Sequence, residues 1–436
     1  MSETTDYSFF HPASKGYRYT ILIIVSMFSL GTYFAYDIIA AISGDLMQSL
    51  GADESNIGTI NSMYSIAAII AVFFGGVLLD RLGTRKSSLI FSIMVLIGAV
   101  IVAFSRSIPM IYAGRFIYGA GSEALIVAQS TILARWFKGK ELALAFGVAL
   151  TVSRIGSLFA FNTGKVIAGH FGAPFYALLA ATVVCFISLL ANLVYIGMDR
   201  RGERLLGLKD GAVEDKIVFK DIRHFKPTFW YVTILCVTFY SAVFPFQTLA
   251  VKFFNEKWGI QDVAAQSGTF LHKVFFNFLN MFNTAGGITA IIIFASMIFA
   301  PFAGKLVDKI GKRASLMVFG SLIMIPSHLL LGITHIHPII SMVALGAAFV
   351  LVPAAMWPSI PLVVRKERVG TAFGLMTAIQ NIGLFSFNYL NGKLRVLTHS
   401  YTASQIMFTC LGVVGLIFAI LLLRANRKEG NILEKP

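Results

Sequence analysis

Charge is scarce in this chain of 436 residues: Asp, Glu, Lys and Arg together make up 13%. Soluble domains carry about 25%, so an ordinary soluble enzyme is excluded. Cysteine is nearly absent. Its three copies, Cys185, Cys236 and Cys410, all lie in apolar runs, which excludes a disulfide framework or a cysteine metal set and predicts buried thiols. No Asn-X-Ser/Thr site occurs, and the polar stretch 1–17 has no cleavable-signal pattern, so the first apolar run is expected to be retained. His-Glu-X-X-His, nucleophile-elbow and phosphate-loop motifs are also missing. His335 and His337 form the one close histidine pair and read as a solvated turn, and His328 as a helix-packing residue. Neither an enzyme, nor a metal, nor a cofactor is expected.

Apolar side chains dominate instead. They account for 57% of the residues, with 39 Phe, and the mean hydropathy is +0.77. A disordered chain cannot be this apolar. The apolar runs are long and unbroken rather than alternating, which excludes an outer-membrane barrel. The class is an all-α polytopic membrane protein, because a span needs about 20 apolar residues. About twelve such runs occur: 19–43, 56–79, 87–105, 108–134, 141–163 and 173–198, then 228–251, 285–304, 314–334, 338–364, 369–392 and 402–424. The expected organisation is a tail (1–18), a six-helix bundle (19–198), a linker (199–227), a second bundle (228–424) with an enlarged outer loop at 253–284, and a tail (425–436).

The formal net charge of +15 suggests nucleic-acid binding at first sight. Its distribution argues otherwise. Of 36 Lys and Arg, 27 fall in the tails, the linker and the loops after spans two, four, eight and ten. The positive-inside rule then places both termini in the cytoplasm, with lipid headgroups rather than nucleic acid as the partner of this charge.

An internal repeat organises the chain. Gly76-Val-Leu-Leu-Asp80-Arg81-Leu-Gly83-Thr-Arg85 recurs as Gly304-Lys-Leu-Val-Asp308-Lys309-Ile-Gly311-Lys-Arg313, offset by 228. Phe146-Gly147 with Ile155-Gly156 recurs as Phe373-Gly374 with Ile382-Gly383, offset by 227. Two unrelated motifs at nearly one offset indicate two duplicated six-span halves. The repeated loop resembles the signature loop of the major facilitator superfamily. That resemblance implies twelve helices in two halves with pseudo-twofold symmetry, and a substrate site near the midplane between them. Gly76 and Gly304 would permit close helix approach, and Gly83 and Gly311 a tight turn. Asp80, Arg81, Arg85, Asp308, Lys309 and Arg313 are candidates for gating, the two aspartates as charged locks to neighbouring helices.

Four charges fall inside spans: Asp37, Arg115, Glu123 and Arg154. Each costs at least ~2.5 kcal/mol at the centre of an isolated helix, so each needs a partner or a task. Glu123 lies 15 residues beyond Ile108, about 22 Å deep, and Arg154 lies 13 residues beyond Glu141, about 20 Å from the opposite face. Both sit near mid-bilayer. All four belong to the N-terminal half, and Asn381 occupies the repeat position of Arg154. Glu123 and Arg154 can form a structural ion pair, or they can face a cavity and receive the ammonium and carboxylate of a zwitterion, for which the planar guanidinium fork suits the carboxylate. Asp37 is a candidate for proton coupling or for a structural contact. Arg115, in Arg115-Phe-Ile-Tyr-Gly119-Ala-Gly121, resembles the superfamily's second signature and is a candidate for coupling or structure.

Longer strings are more specific. Tyr33-Phe34-Ala-Tyr36-Asp37, Gly114-Arg115 through Gln129, Trp136-Phe137-Lys138-Gly139-Lys140-Glu141-Leu142, Ser153-Arg154-Ile155-Gly156-Ser157, Ala242-Val-Phe-Pro-Phe246, Lys305-Leu-Val-Asp308-Lys309, Trp357-Pro358, Gly370-Thr-Ala-Phe-Gly374 and Ile379-Gln380-Asn381 resemble the lysosomal dipeptide transporter branch of that superfamily. The resemblance runs from span one to span eleven. It implies facilitated transport of dipeptides without obligatory ion coupling, with Glu123 and Arg154 gripping the peptide's two ends. Tyr36, Tyr64, Tyr118, Tyr240, Trp357, Gln380 and Asn381 are further candidates for the cavity wall. A proton-coupled carrier of a small organic anion or amino acid is the alternative.

The segment between spans seven and eight departs from that family. It is longer than its N-terminal counterpart by about 21 residues and includes Phe270 to Phe282, which reads either as an amphipathic surface helix or as an extension of span eight. The family's lysosomal members use a glycosylated accessory partner. The altered, sequon-free outer loop points away from such a partner and towards a bacterial inner membrane, with the lysosomal membrane as the alternative; a monomer is expected.

Overall fold

The computed structural model describes residues 11–137, 141–207, 219–264, 267–365 and 368–435, without the side chains of Phe73, Ala143, residues 219–221, Pro301 and Asp308. Residues 1–10 of the expected tail, 138–140 of the Trp136 motif, 208–218 of the expected linker and 265–266 of the enlarged loop lie outside it.

Fifteen α-helices follow one another, with no strand among the described residues: α1 (Lys15–Ala41), α2 (Ser43–Leu50), α3 (Glu54–Phe104), α4 (Ile108–Trp136), α5 (Leu142–Phe171), α6 (Pro174–Leu206), α7 (Pro227–Trp258), α8 (Phe270–Leu279), α9 (Ala285–Thr289), α10 (Ile291–Ile310), α11 (Arg313–Ile333), α12 (Ile339–Met356), α13 (Ile360–Val363), α14 (Val369–Thr398) and α15 (Thr402–Lys428). Their starts follow from local chemistry. The Ser14 side chain accepts from Tyr17 N–H at the head of α1. Asp53 and Asn56 form a reciprocal capping box at the head of α3. α4, α6 and α7 each open with proline in the first turn, where its missing N–H costs nothing. Lipid-facing positions carry large apolar side chains, such as Phe74 at 71% exposure and Phe302 at 67%.

Among the described residues, ten helical segments are long and apolar enough to cross a membrane. The other two expected spans are helical but differ. The segment 285–304 is broken at Ala290 into α9 and α10, and α14 carries Gln380, Asn381, Asn388 and Asn391. Spans two and three run as one helix, α3, interrupted only at Gly83. Gly83 has φ +77 and Gly311 has φ +63, so the repeated loop does turn on a left-handed glycine in both halves. Gly76 and Gly304 do not serve close approach to the described residues: a Cβ on either would meet none of them within 4 Å. Close approaches between the halves include Gly58 of α3 and Gly392 of α14, where an added Cβ would collide with the carbonyl oxygens of Asn388 and Glu54 respectively.

These glycines sit where the two halves join. α1, α7 and α14 start at the end of the bundle that carries the termini, and α3 starts at the far end. The join is at the far end. Lys252 Nζ of α7 lies 2.7 Å from Glu54 Oε1 of α3, and Arg395 Nε of α14 is 3.6 Å from the same oxygen. Arg395 also pairs with Glu256 at 2.8 Å. Deeper in, Asn61 Nδ2 donates to Thr248 Oγ1 at 3.0 Å, Thr248 donates to Asn388 Oδ1 at 2.8 Å, and Ser62 Oγ donates to the Phe385 carbonyl at 2.7 Å. At the terminal end, the ion pairs of Arg85 with Asp199 and Glu203, of Arg135 with Asp199, and of Lys226 with Glu429 each stay within one half.

The segment before span eight does not extend that span. It forms a separate helix, α8, whose Leu271, Phe275 and Leu279 are 77%, 65% and 65% exposed. Its other face lies on α5 of the opposite half. Phe278 meets Phe159 at 4.9 Å between ring centroids, and the buried Asn277 donates to the Asn162 carbonyl at 2.8 Å.

Candidate functional site

The four intramembrane charges separate into different environments. Arg115 is sealed, with 1% of its surface exposed. Its Nη1 donates to the Ala35 carbonyl at 3.2 Å and its Nη2 to Asn61 Oδ1 at 2.8 Å. The rings of Tyr36, Tyr64 and Tyr118 surround it, with its Cζ 5.1, 5.5 and 5.1 Å from their centroids. The Tyr118 hydroxyl donates to the Thr32 carbonyl. Three of the tyrosines proposed for the cavity wall therefore serve first as a cage around Arg115. Through Asn61, which also donates to Thr248, that cage is tied to the join between the halves.

Glu123, on α4, is only partly buried. The Tyr64 hydroxyl donates to its Oε1 at 2.6 Å, which fixes the carboxylate while leaving its second oxygen free of any hydrogen bond among the described residues. Arg154, on α5, is likewise partly buried. Glu123 and Arg154 form no ion pair with each other among the described residues, so the structural-pair reading of these two side chains does not hold in this conformation.

Arg154 has neither an ion pair nor a hydrogen bond among the described residues, and its buried Nε is without a partner. Two rings flank its guanidinium instead: Tyr33 of α1 at 5.6 Å and Phe349 of α12 at 5.1 Å from Cζ to centroid. Such contacts contribute ~0.5–2 kcal/mol, less than the cost of holding a cation at this depth. The N–H edge of Arg154 is available to an anion. Asp37 is buried, 7% exposed, and forms no ion pair among the described residues.

The C-terminal half contributes an aromatic wall. Trp357 Nε1 donates to the Tyr240 hydroxyl at 3.0 Å. Tyr240 stacks on Phe244 at 5.7 Å, and Phe349 stands edge-on to both. Phe349 thus joins the Tyr240–Trp357 pair to Arg154. Gln380 accepts from Cys236 Sγ at 3.5 Å, and Asn381 turns back to the Thr377 carbonyl at 3.1 Å. No contact among the described residues brings Gln380 or Asn381 to Glu123 or Arg154.

The signature loops lie at the terminal end, away from this site. Arg85 pairs with Glu203 at 2.7 Å, and Arg313 Nη1 donates to the Lys435 carbonyl at 2.9 Å. Asp80, Arg81 and Lys309 form no ion pair among the described residues, and the Asp308 side chain lies outside them. Cys185 and Cys236 are buried as expected, but Cys410 is exposed. An apolar run on α15 presents some positions to lipid, and apolarity alone does not distinguish lipid from core. His328 is fully buried against Gln405, with Nδ1 and Oε1 2.9 Å apart.

Tyr33, Phe349 and the far-end group of Glu54, Lys252, Glu256 and Arg395 were not singled out by sequence reasoning. The Lys252 to Glu256 spacing of i, i+4 was the one local signal available, and it does not reveal the partner on α3.

Comparison with known proteins agrees with this architecture. The family model of the Major Facilitator Superfamily matches residues 21–282 and 279–435. The lysosomal dipeptide transporter MFSD1 of Danio rerio is 31% identical, with 95% of this chain and 89% of the relative aligned. The human lysosomal dipeptide transporter MFSD1 is also 31% identical, over 96% and 89%. Among solved structures, the xylose transporter XylE from E. coli, in a partially occluded inward open conformation, superposes with a TM-score of 0.70 at 16% identity, covering 93% of this chain and 98% of that one. This is a multi-pass integral membrane transporter, not an enzyme, and the chain belongs to the major facilitator superfamily, in the branch of the lysosomal dipeptide transporters.

Proposed function

We propose that this protein moves dipeptides across its membrane by alternating access, as a facilitated uniporter. The observation that carries the reading is Arg154: a guanidinium near mid-bilayer, flanked by rings, with its hydrogen-bonding edge unused by the described residues. A peptide carboxylate is its bidentate complement. Glu123, oriented by Tyr64, takes the peptide ammonium. Recognition through the two backbone termini leaves the substrate side chains to the aromatic wall of Tyr240, Phe349 and Trp357, which suits a varied set of dipeptides. The 31% identity to lysosomal dipeptide transporters over nearly the whole chain supports the same substrate class.

The charge distribution supports cytoplasmic termini, which puts the join at Glu54, Lys252 and Arg395 on the outer side. The altered, sequon-free outer loop supports a carrier that works without a glycosylated accessory subunit, and we take it to act as a monomer. The sequon-free outer loops favour a bacterial inner membrane over a lysosomal one. Asp80, Arg81, Asp308 and Lys309 are then gating charges, engaged when the cytoplasmic side closes.

Proteoliposomes loaded with a dipeptide panel test the reading. Exchange of dipeptides is expected from the native protein and is expected to vanish in Glu123→Gln and Arg154→Ala. Unimpaired exchange in either variant removes the role assigned to that residue. Asp37, buried and outside any ion pair of the described residues, favours one second reading, proton-coupled movement of an organic anion. Uptake that carries acid into the lumen, and that tolerates a blocked substrate amine, would select it.

A further inference from the structure

Phe349 belongs to the C-terminal half, on α12, and Arg154 to the N-terminal half, on α5. The contact between them, 5.1 Å from guanidinium carbon to ring centroid, therefore crosses the interface between the halves at the depth of the substrate site. Phe349 is itself held fast. It is 4% exposed and stands among Phe239, Tyr240 and Phe244, at centroid distances of 6.4, 6.3 and 5.7 Å. Tyr240 is fixed in turn by Trp357. A long arginine side chain with no hydrogen bond to anchor it would sample several rotamers, and ordering it on binding would cost affinity. Tyr33 and Phe349 occupy its two neighbouring ring positions and leave its N–H groups as the unsatisfied part.

We propose that Phe349 is a positioning residue for the substrate carboxylate: its ring holds the Arg154 guanidinium in the orientation that receives a carboxylate, so the carboxylate subsite is built by both halves. The inference rests on the reading of Arg154 as the carboxylate anchor. It adds that the neutral C-terminal half sets the affinity of that anchor through an aromatic face, not through a charge. A carboxylate-bearing substrate then depends on the ring, whereas a substrate without a carboxylate does not.

The test uses the full-length protein in proteoliposomes, the dipeptide that it exchanges fastest, and the C-terminal amide of that dipeptide. Phe349→Leu removes the ring and keeps an apolar side chain. Phe349→Met is a second ring-free variant of flexible shape, in case the first folds poorly. Phe349→Tyr keeps the aromatic face. Half-saturating concentrations and thermal unfolding are measured for each.

In the ring-free variants the free-acid dipeptide is expected to bind about threefold to thirtyfold more weakly, the range that corresponds to a cation–π contact. The amide is expected to be unchanged, and Phe349→Tyr is expected to restore the acid to within about twofold of native. Equal weakening of acid and amide would overturn the inference and make Phe349 a wall residue, with the role of Arg154 intact. Unchanged acid affinity in a folded ring-free variant would overturn it as well. A native protein that binds acid and amide equally would overturn both the inference and the carboxylate role of Arg154 beneath it.

Discussion

Arg115 and Arg154 are the same residue type, both in the membrane and both in the N-terminal half, yet they do different things. Arg115 spends its donors on Ala35 and Asn61 inside a cage of three tyrosines. Arg154 spends none on the described residues. Replacing Arg115 by Ala leaves two buried acceptors and an aromatic cavity unfilled, so a loss of about 2–4 kcal/mol of stability is expected. Arg154→Ala is expected to unfold within a few degrees of native while exchanging no dipeptide. Thermal unfolding and exchange measured on the same two variants check the contrast. Tyr64 supplies a third residue-level expectation. Its hydroxyl makes a 2.6 Å hydrogen bond to Glu123, and bonds to charged groups contribute about 1.5–3 kcal/mol. Tyr64→Phe keeps the ring over Arg115 and is expected to raise the half-saturating dipeptide concentration at least tenfold and to lower the melting temperature by a few degrees.

At the level of elements, the join between the halves is a contact of backbones. α3 and α14 approach so closely that only glycine fits at Gly58 and Gly392, in the manner of small-residue contacts between membrane helices. Gly58→Ala or Gly392→Ala is expected to pry the far ends of α3 and α14 apart. Spin-label distances between those ends should lengthen, and an unchanged distance distribution would show that the helices can slide to absorb the methyl group. α8 is a second element whose role follows from its two faces. Asn277 and Phe278 bind it to α5, and Leu271, Phe275 and Leu279 point outward. An apolar outer face on a helix at the edge of a membrane bundle belongs in the interfacial layer. A Phe275→Trp reporter is expected to be quenched more strongly by lipids brominated near the headgroup than by lipids brominated at the chain ends.

The whole molecule is asymmetric along the membrane normal. Most of its basic residues lie at the terminal end, whereas the ion pairs joining the halves cluster at the other. Glu54 is central to that cluster, facing both Lys252 and Arg395. Partly exposed ion pairs contribute about 0–1 kcal/mol each. Glu54→Gln is therefore expected to shift the conformational balance by up to about thirtyfold towards opening at the far end, read by the same spin labels, without abolishing transport. The remaining polar links of Asn61, Thr248, Asn388 and Ser62 keep the closed state accessible.

Composition, span periodicity and the duplicated loop motif were enough to determine an all-α, two-half transporter, because a bilayer leaves a chain this apolar few ways to satisfy its backbone. The longer strings around Glu123 and Arg154 were enough to point to the candidate site, because a charge in the middle of an apolar span is rare and costly. Depth along a helix could be counted from residue numbers, and it placed both side chains near mid-bilayer. What a side chain faces could not. Tyr36, Tyr64 and Tyr118 read as cavity wall with no sign that they also surround Arg115, and Cys410 read as buried until α15 turned it outward. Phe349 is one of 39 phenylalanines with nothing local to mark it. Its position beside Arg154, like that of Lys252 beside Glu54, comes from helices almost 200 residues apart meeting across two halves. Only tertiary structure decides such contacts, because cation–π and ion-pair partners are chosen by proximity in space, and helical periodicity specifies a face without naming the helix that will cover it.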